Sequence, residues 1–188
     1  MKKILLVTLT LLASFISFSQ DSLRRPKTKI EEMALREGVV IKKEFDKLGE
    51  INGLSISFLT VTEVNSDKGV QMKGVKFSNY SSIGSSYYER SSYIDPEEIN
   101  GVIKFIDFAR QLVTAPTIYT EYVYTTKGDF KAAIFTASNF AGKLSGDWTL
   151  ILYADKFYSN SSVSIPKKKI DELYDTLVKA RDLLNKPN

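Results

Sequence analysis

The sequence predicts an α+β protein built from duplicated ββββα units, with antiparallel sheets each followed by an amphipathic helix. Three observations lead there. The stretch "SSYIDPEEINGVIKFIDFARQLV" (Ser91–Val113) is echoed by "SSVSIPKKKIDELYDTLVKARDLL" (Ser161–Leu184). At an offset of 70, Tyr88 meets Tyr158 and Pro96 meets Pro166; after one inserted residue, Ile99 meets Ile170, Ala109 meets Ala180 and Arg110 meets Arg181. Each echoing segment carries one apolar stripe at helical spacing. Upstream of each stripe lie β-branched and aromatic runs divided by turn residues, including a Lys-Gly pair in each half, Lys68-Gly69 and Lys127-Gly128.

The elements follow in order. "KIEEMALREG" (Lys29–Gly38) reads as a short helix closed by Gly38. Val39, Ile41 and Phe45 then mark a half-buried strand, with Lys43 interrupting the alternation. "GLSISFLTVTEV" is a stronger strand, and "NSDKG" turns it into a return arm, "VQMKGVKF". Gly74 in that arm reads as a bulge. "YYERSSYI" is the fourth strand. Asp95, Pro96 and Glu98 read as N-cap, first helical residue and capping-box partner of the first helix. Its stripe is Ile99, Val102, Ile103, Ile106 and Ala109. In the second half the strands are "TIYTEYVY", "FKAAIFTASN", "WTLILYAD" and "KFYSNSSVS", the last covering Lys156–Ser164. The closing helix has Ile170, Leu173, Tyr174, Leu177, Ala180 and Leu184 on one side.

The beginning of the chain reads as an export signal. Lys2 and Lys3 precede an apolar run, Ile4–Ile16, and Ser17-Phe18-Ser19 supplies the small residues of a cleavage site. Residues 1–19 are expected to be a signal peptide, 20–37 a basic tether holding "RRPKTK", and 38–186 one domain of two repeats, 38–115 and 116–186. Removing residues 1–19 takes away two lysines and no acid, so the formal charge falls from +4 to +2. That balance argues neither for nor against a nucleic-acid partner, and none is expected. The chain has no Cys, so its core must hold without disulfides in an oxidising compartment. The expected location is periplasmic or extracellular, with no transmembrane segment after the signal is removed.

The tandem ββββα order over Val39–Leu184 resembles the Whirly and PUR families. That resemblance implies single-stranded nucleic acid bound on the outer sheet faces. "SIPKKKIDELYDTLVKARDLL" is similar to the last strand and helix of a PUR repeat, whereas the Lys-rich, aromatic-rich strands of those families are not evident. The stretch Tyr93–Phe108 also resembles uncharacterised exported bacterial proteins with a "YIDxxEI…IKxIDF" pattern. Neither resemblance assigns a site residue.

The chain has no His and no Cys, which removes Ser-His and Cys-His nucleophile pairs and Cys/His metal sites. No catalytic residue, metal or cofactor is expected. A carboxylate hydrolase survives the exclusion, and the closest acids are Asp95, Glu97 and Glu98, whose spacing capping already explains. Asp129 and Asp147, beside glycines, read as turn residues. The second helix opens with Lys167, Lys168 and Lys169 where the first has acids, and with Ser164 they form a candidate anion site. Tyr87, Tyr88, Tyr122 and Tyr124 are candidate recognition rings, since adjacent strand positions face opposite sides. The reading that results is an exported, non-enzymatic binding module for an unknown protein or small anionic ligand. A polyanion or single-stranded nucleic-acid binder is the first alternative, a small carboxylate hydrolase the second.

Overall fold

A computed structural model describes residues 26–65, 69–83, 86–114, 116–138 and 144–186. The expected signal peptide, the first part of the expected tether, residues 66–68 of the "NSDKG" turn and residues 139–143 of the later loop lie outside the described residues. The elements are α1 (Lys29–Ala34), β1 (Ile41–Ile51), β2 (Leu54–Glu63), β3 (Gln71–Ile83), β4 (Ser86–Ile94), α2 (Ile99–Gln111), β5 (Glu121–Thr125), β6 (Lys131–Ser138), β7 (Leu144–Tyr153), β8 (Ser162–Ile165) and α3 (Ile170–Leu184). The strands form two antiparallel four-stranded sheets, β1-β2-β3-β4 and β5-β6-β7-β8, each followed by a helix. The duplicated ββββα units are therefore present.

The duplication extends to register. Phe58, Val75 and Ile94 form one row of the first sheet, and Ile134, Leu150 and Ile165 the matching row of the second. Each row ends on the last residue of its sheet, and five residues later a helix begins, at Ile99 and at Ile170. Both stripes are buried: Ile99, Val102, Ile103, Ile106 and Ala109 in α2, Ile170, Leu173, Leu177 and Ala180 in α3. The helices exchange sheets. The contacts of α3 fall on β1, β2 and β3, while α2 packs on β6 and meets β5 through Phe105 and Phe108. One hydrophobic core thus runs through both sheets and both helices. A sheet with one apolar face requires such a cover, and here each unit supplies the other's.

The short helix expected from "KIEEMALREG" is present as α1, and it is packed against the domain although it lies within the segment 20–37 expected to be a basic tether. Six residues are too few for a free-standing helix, so docking has to hold α1. Ile30 and Met33 are buried against Leu59 and Val61 on the outer face of the first sheet. Thr28 caps the helix, with Glu31 completing a capping box. The Asp95 carboxylate reaches across to accept the backbone N–H groups of Lys29 (2.9 Å) and Ile30 (3.2 Å).

Asp95 therefore does not cap its own helix. Residues 96–98 form a turn, α2 begins at Ile99, and no side chain caps it. Glu98 accepts the backbone N–H of Lys127 (2.8 Å), tying α2 to the β5–β6 turn. Gly74 is not a bulge either, because the β2–β3 register runs through it without a shift. A Cβ there would stand 2.6 Å from Ile30 Cδ1, so the glycine makes room for α1. In the β5–β6 turn the positive φ belongs to Asp129, at 69°. Gly128 is small for a different reason: a Cβ would come within 1.9 Å of the Tyr93 carbonyl oxygen.

The fourth strand of the second unit is shorter than expected. Residues 159–161 form a 3-10 turn, and only Ser162–Ile165 pairs with β7. Buried Ser161 Oγ donates to the Asp155 carbonyl (2.6 Å) and accepts the Asp155 N–H (3.1 Å), a local bonding pattern that competes with the ladder.

Candidate functional site

A cleft of about 260 Å³ opens where the end of α2, the strands β6–β8 and the start of α3 converge. Ile134, Leu150 and Ile165, one row across three strands, form its floor with Ala109 and Ile170. Its rim is charged: Arg110 and Lys167 on one hand, Asp147 and Asp171 on the other. The sheet row makes the floor apolar, and the Ile165–Ile170 junction delivers the rim lysine.

The rim charges differ in how far they are already matched. Arg110 lies over the Tyr174 ring (4.2 Å to the centroid), bonds Asp107 at 2.6 Å and stands 3.6 Å from Asp171. Lys167 has no ion pair among the described residues. The Trp148 ring sits 5.8 Å from that of Tyr122, and its indole nitrogen is out of solvent without a hydrogen-bond partner. A pocket with an apolar floor and a few polar groups at its edge suits a small ligand with an apolar body and one charged end.

The sequence-derived anion set divides. Lys167 lines the cleft; Lys168 is exposed and is not part of it. Lys169 bonds Glu172 in the first turn of α3. Ser164 faces outward on β8, and its carbonyl accepts from Asn52 Nδ2 at 2.6 Å. The four residues therefore do not converge, although a 3-10 turn does replace the acidic opening of the first unit.

The tyrosines divide as well. Tyr122 meets Phe108 edge-on at 4.9 Å, and Tyr124 lies 6.0 Å from Phe105, so both rings help α2 pack on the second sheet. Burial, and after it the charge of Glu98, raises the Tyr124 phenol above its ordinary pKa. Tyr87 and Tyr88 stand on opposite faces of β4, 80% and 47% exposed. Tyr88 and Tyr158 flank Arg90 at the far end of the second sheet from the cleft.

The acids considered for hydrolysis have other partners. Asp95 and Glu98 bond backbone N–H groups, and Glu97 pairs with Lys29 at 2.5 Å. That hydrogen bond, first among the causes, lowers the Glu97 pKa and raises that of Lys29. Asp129 is buried and holds Lys27 (2.6 Å) and Lys156 (3.1 Å), joining the segment before α1 to the second unit. Among the described residues no group of three or more metal-ligating side chains is assembled. No described helix is long and apolar enough to cross a membrane.

The cleft residue Trp148 had no signal in the sequence, because the lining comes from five elements, α2, β6, β7, β8 and α3. The pair Tyr88 and Tyr158 did have one, their coincidence at an offset of 70. No family model matches the chain, and no curated protein matches it.

Proposed function

We propose that the protein is an exported, non-enzymatic binding module whose cleft takes a small amphipathic ligand, apolar in body and anionic at one end. The observation that carries this reading is an apolar floor of Ile134, Leu150 and Ile165 beside a lysine, Lys167, that has no acid partner among the described residues. The apolar body would gain from burial on that floor, at roughly 25 cal/mol per Å² removed from water. Lys167 would select the anionic end. Asp171 does not resemble the general acid of a hydrolase, since its side chain is 75% exposed and leans on Arg110 rather than on apolar walls.

The test uses 1-anilinonaphthalene-8-sulfonate, an apolar body with one anionic group, and the fluorescence of Trp148, the sole tryptophan. One-to-one saturable quenching of Trp148 is expected, with affinity reduced about tenfold or more by Lys167→Glu. Quenching that does not saturate, or an affinity that Lys167→Glu leaves unchanged, overturns the reading.

A second reading, polyanion or single-stranded nucleic acid on the outer face of the first sheet, draws support from the exposed Tyr80 and Tyr87 rings there. Against it, α1 occupies part of that face, and Lys47 and Lys76 are matched by Glu50 and Glu89. Binding of an oligonucleotide that weakens steeply with salt would favour it over the cleft.

A further inference from the structure

The two tyrosines that coincide in the repeat meet in space around one cation. Arg90 Cζ lies 3.8 Å from the Tyr158 ring centroid and 5.9 Å from that of Tyr88. Tyr88 and Arg90 alternate on one face of β4, and Tyr158 stands in the connection between β7 and β8. The first unit thus supplies the cation and one ring, the second unit the other ring.

Arg90 also differs from the other described arginines. Arg36 pairs with Glu63, Arg110 with Asp107 and Arg181 with Asp182, whereas Arg90 has no carboxylate partner among the described residues. Its Nε is out of solvent and has no hydrogen-bond partner. Asn79, directly opposite Arg90 in the ladder and 5% exposed, has an unpartnered Oδ1. Ser92, two residues along β4 and 0% exposed, has an unpartnered hydroxyl. Buried polar groups are usually matched, and each one left unmatched is costly. An unmatched Nε on the guanidinium itself, with an unmatched hydroxyl donor and an unmatched amide oxygen beside it, marks a place prepared for a polar partner.

The rings fix what kind of partner fits. Aromatic rings hold a guanidinium by its faces, which leaves its N–H groups directed in the plane, where a carboxylate or phosphate accepts two at once. Tyr88 and Tyr158 are 47% and 43% exposed, so each keeps ring surface free for an organic body beside the anion. We propose that Arg90, held by Tyr88 and Tyr158, is a binding site for an oxyanion, a carboxylate or a phosphate monoester, carried on a small planar body. The site is separate from the cleft: Trp148 and Ile165 bound the cleft at one end of the β7–β8 pair, and Tyr158 lies in the connection at the other.

The test follows the arginine Nε–H signals of the ¹⁵N-labelled chain by NMR during titration with phenyl phosphate, benzoate and inorganic phosphate. The Arg90 signal is expected to shift and saturate with phenyl phosphate, and more weakly with inorganic phosphate. Comparison of benzoate with phenyl phosphate tells which oxyanion the site prefers. Arg90→Lys keeps the charge and loses the fork, and is expected to weaken phenyl phosphate at least about tenfold with the melting temperature nearly unchanged. Lys167→Ala is expected to leave the affinity as it was, which separates this site from the cleft. If Arg90→Lys does not fold, Tyr88→Leu replaces it, with loss expected for phenyl phosphate and not for inorganic phosphate. An Arg90 signal that fails to saturate, an Arg90→Lys affinity equal to wild type, or equal affinity for phenyl and inorganic phosphate overturns the proposal.

Discussion

Replacing Asp95 with alanine removes a cap from a helix that lies 65 residues earlier in the chain. The wild-type carboxylate, 1% exposed, accepts two backbone N–H groups of α1, at 2.9 and 3.2 Å. Hydrogen bonds to a charged group contribute about 1.5–3 kcal/mol net, and loss of a helix cap costs about 0.5–2 kcal/mol. The Thr28–Glu31 capping box survives the change, so the loss is expected near 2–3 kcal/mol rather than at the sum. Asp95→Asn keeps one acceptor and should lose about half as much. The assay is hydrogen exchange read residue by residue. Protection at Lys29 and Ile30 is expected to fall about 30- to 150-fold, the equivalent of 2–3 kcal/mol. The Gly101 and Val102 amides, which bond the Glu98 carbonyl at the start of α2, should keep theirs. If α2 loses protection while α1 keeps it, Asp95 caps its own helix as its position in the sequence suggests, and the reasoning is refuted.

Two further substitutions test the packing of α2 on the second sheet. Gly101→Ala would ordinarily stabilise a helix interior by up to about 1 kcal/mol. Here the new Cβ would stand 2.0 Å from the Tyr124 hydroxyl oxygen and 2.8 Å from its ring carbon, so a net loss of about 1–2 kcal/mol is expected in urea unfolding. Tyr124→Leu in the same chain should recover part of it, and a stabilising Gly101→Ala would contradict the packing described. The raised phenol of Tyr124 makes the folded state hold its proton more tightly than the unfolded chain does. Its contribution is complete below the ordinary tyrosine value near ~10 and is lost as pH rises through the raised folded value. The urea midpoint should therefore fall more steeply above that pH in wild type than in Tyr124→Phe, and parallel curves would count against burial of the phenol.

Much of the fold was legible in the sequence because its cues act over short distances. The stripes Ile99–Ala109 and Ile170–Ala180 follow the helical period, and Gly69 takes the positive φ its turn requires. The misreadings share one cause. Asp95 and Glu98 have the spacing of a capping box, and Gly74 looks like a bulge. In each case the partner is distant in sequence: α1 for Asp95 and Gly74, and the β5–β6 turn for Glu98.

The sequence by itself determined the order of elements, the repeat and the apolar faces, since periodicity and turn chemistry are properties of neighbouring residues. Only the tertiary structure decided which sheet each helix covers, that Lys167 alone of the lysine run meets an apolar floor, and that Tyr88 and Tyr158 close on Arg90. A short junction can send its helix to either sheet, and both sheets offer an apolar face. The choice rests on how Phe105, Phe108 and Gly101 fit Tyr122 and Tyr124, a match of shapes that no pattern along one strand or helix contains.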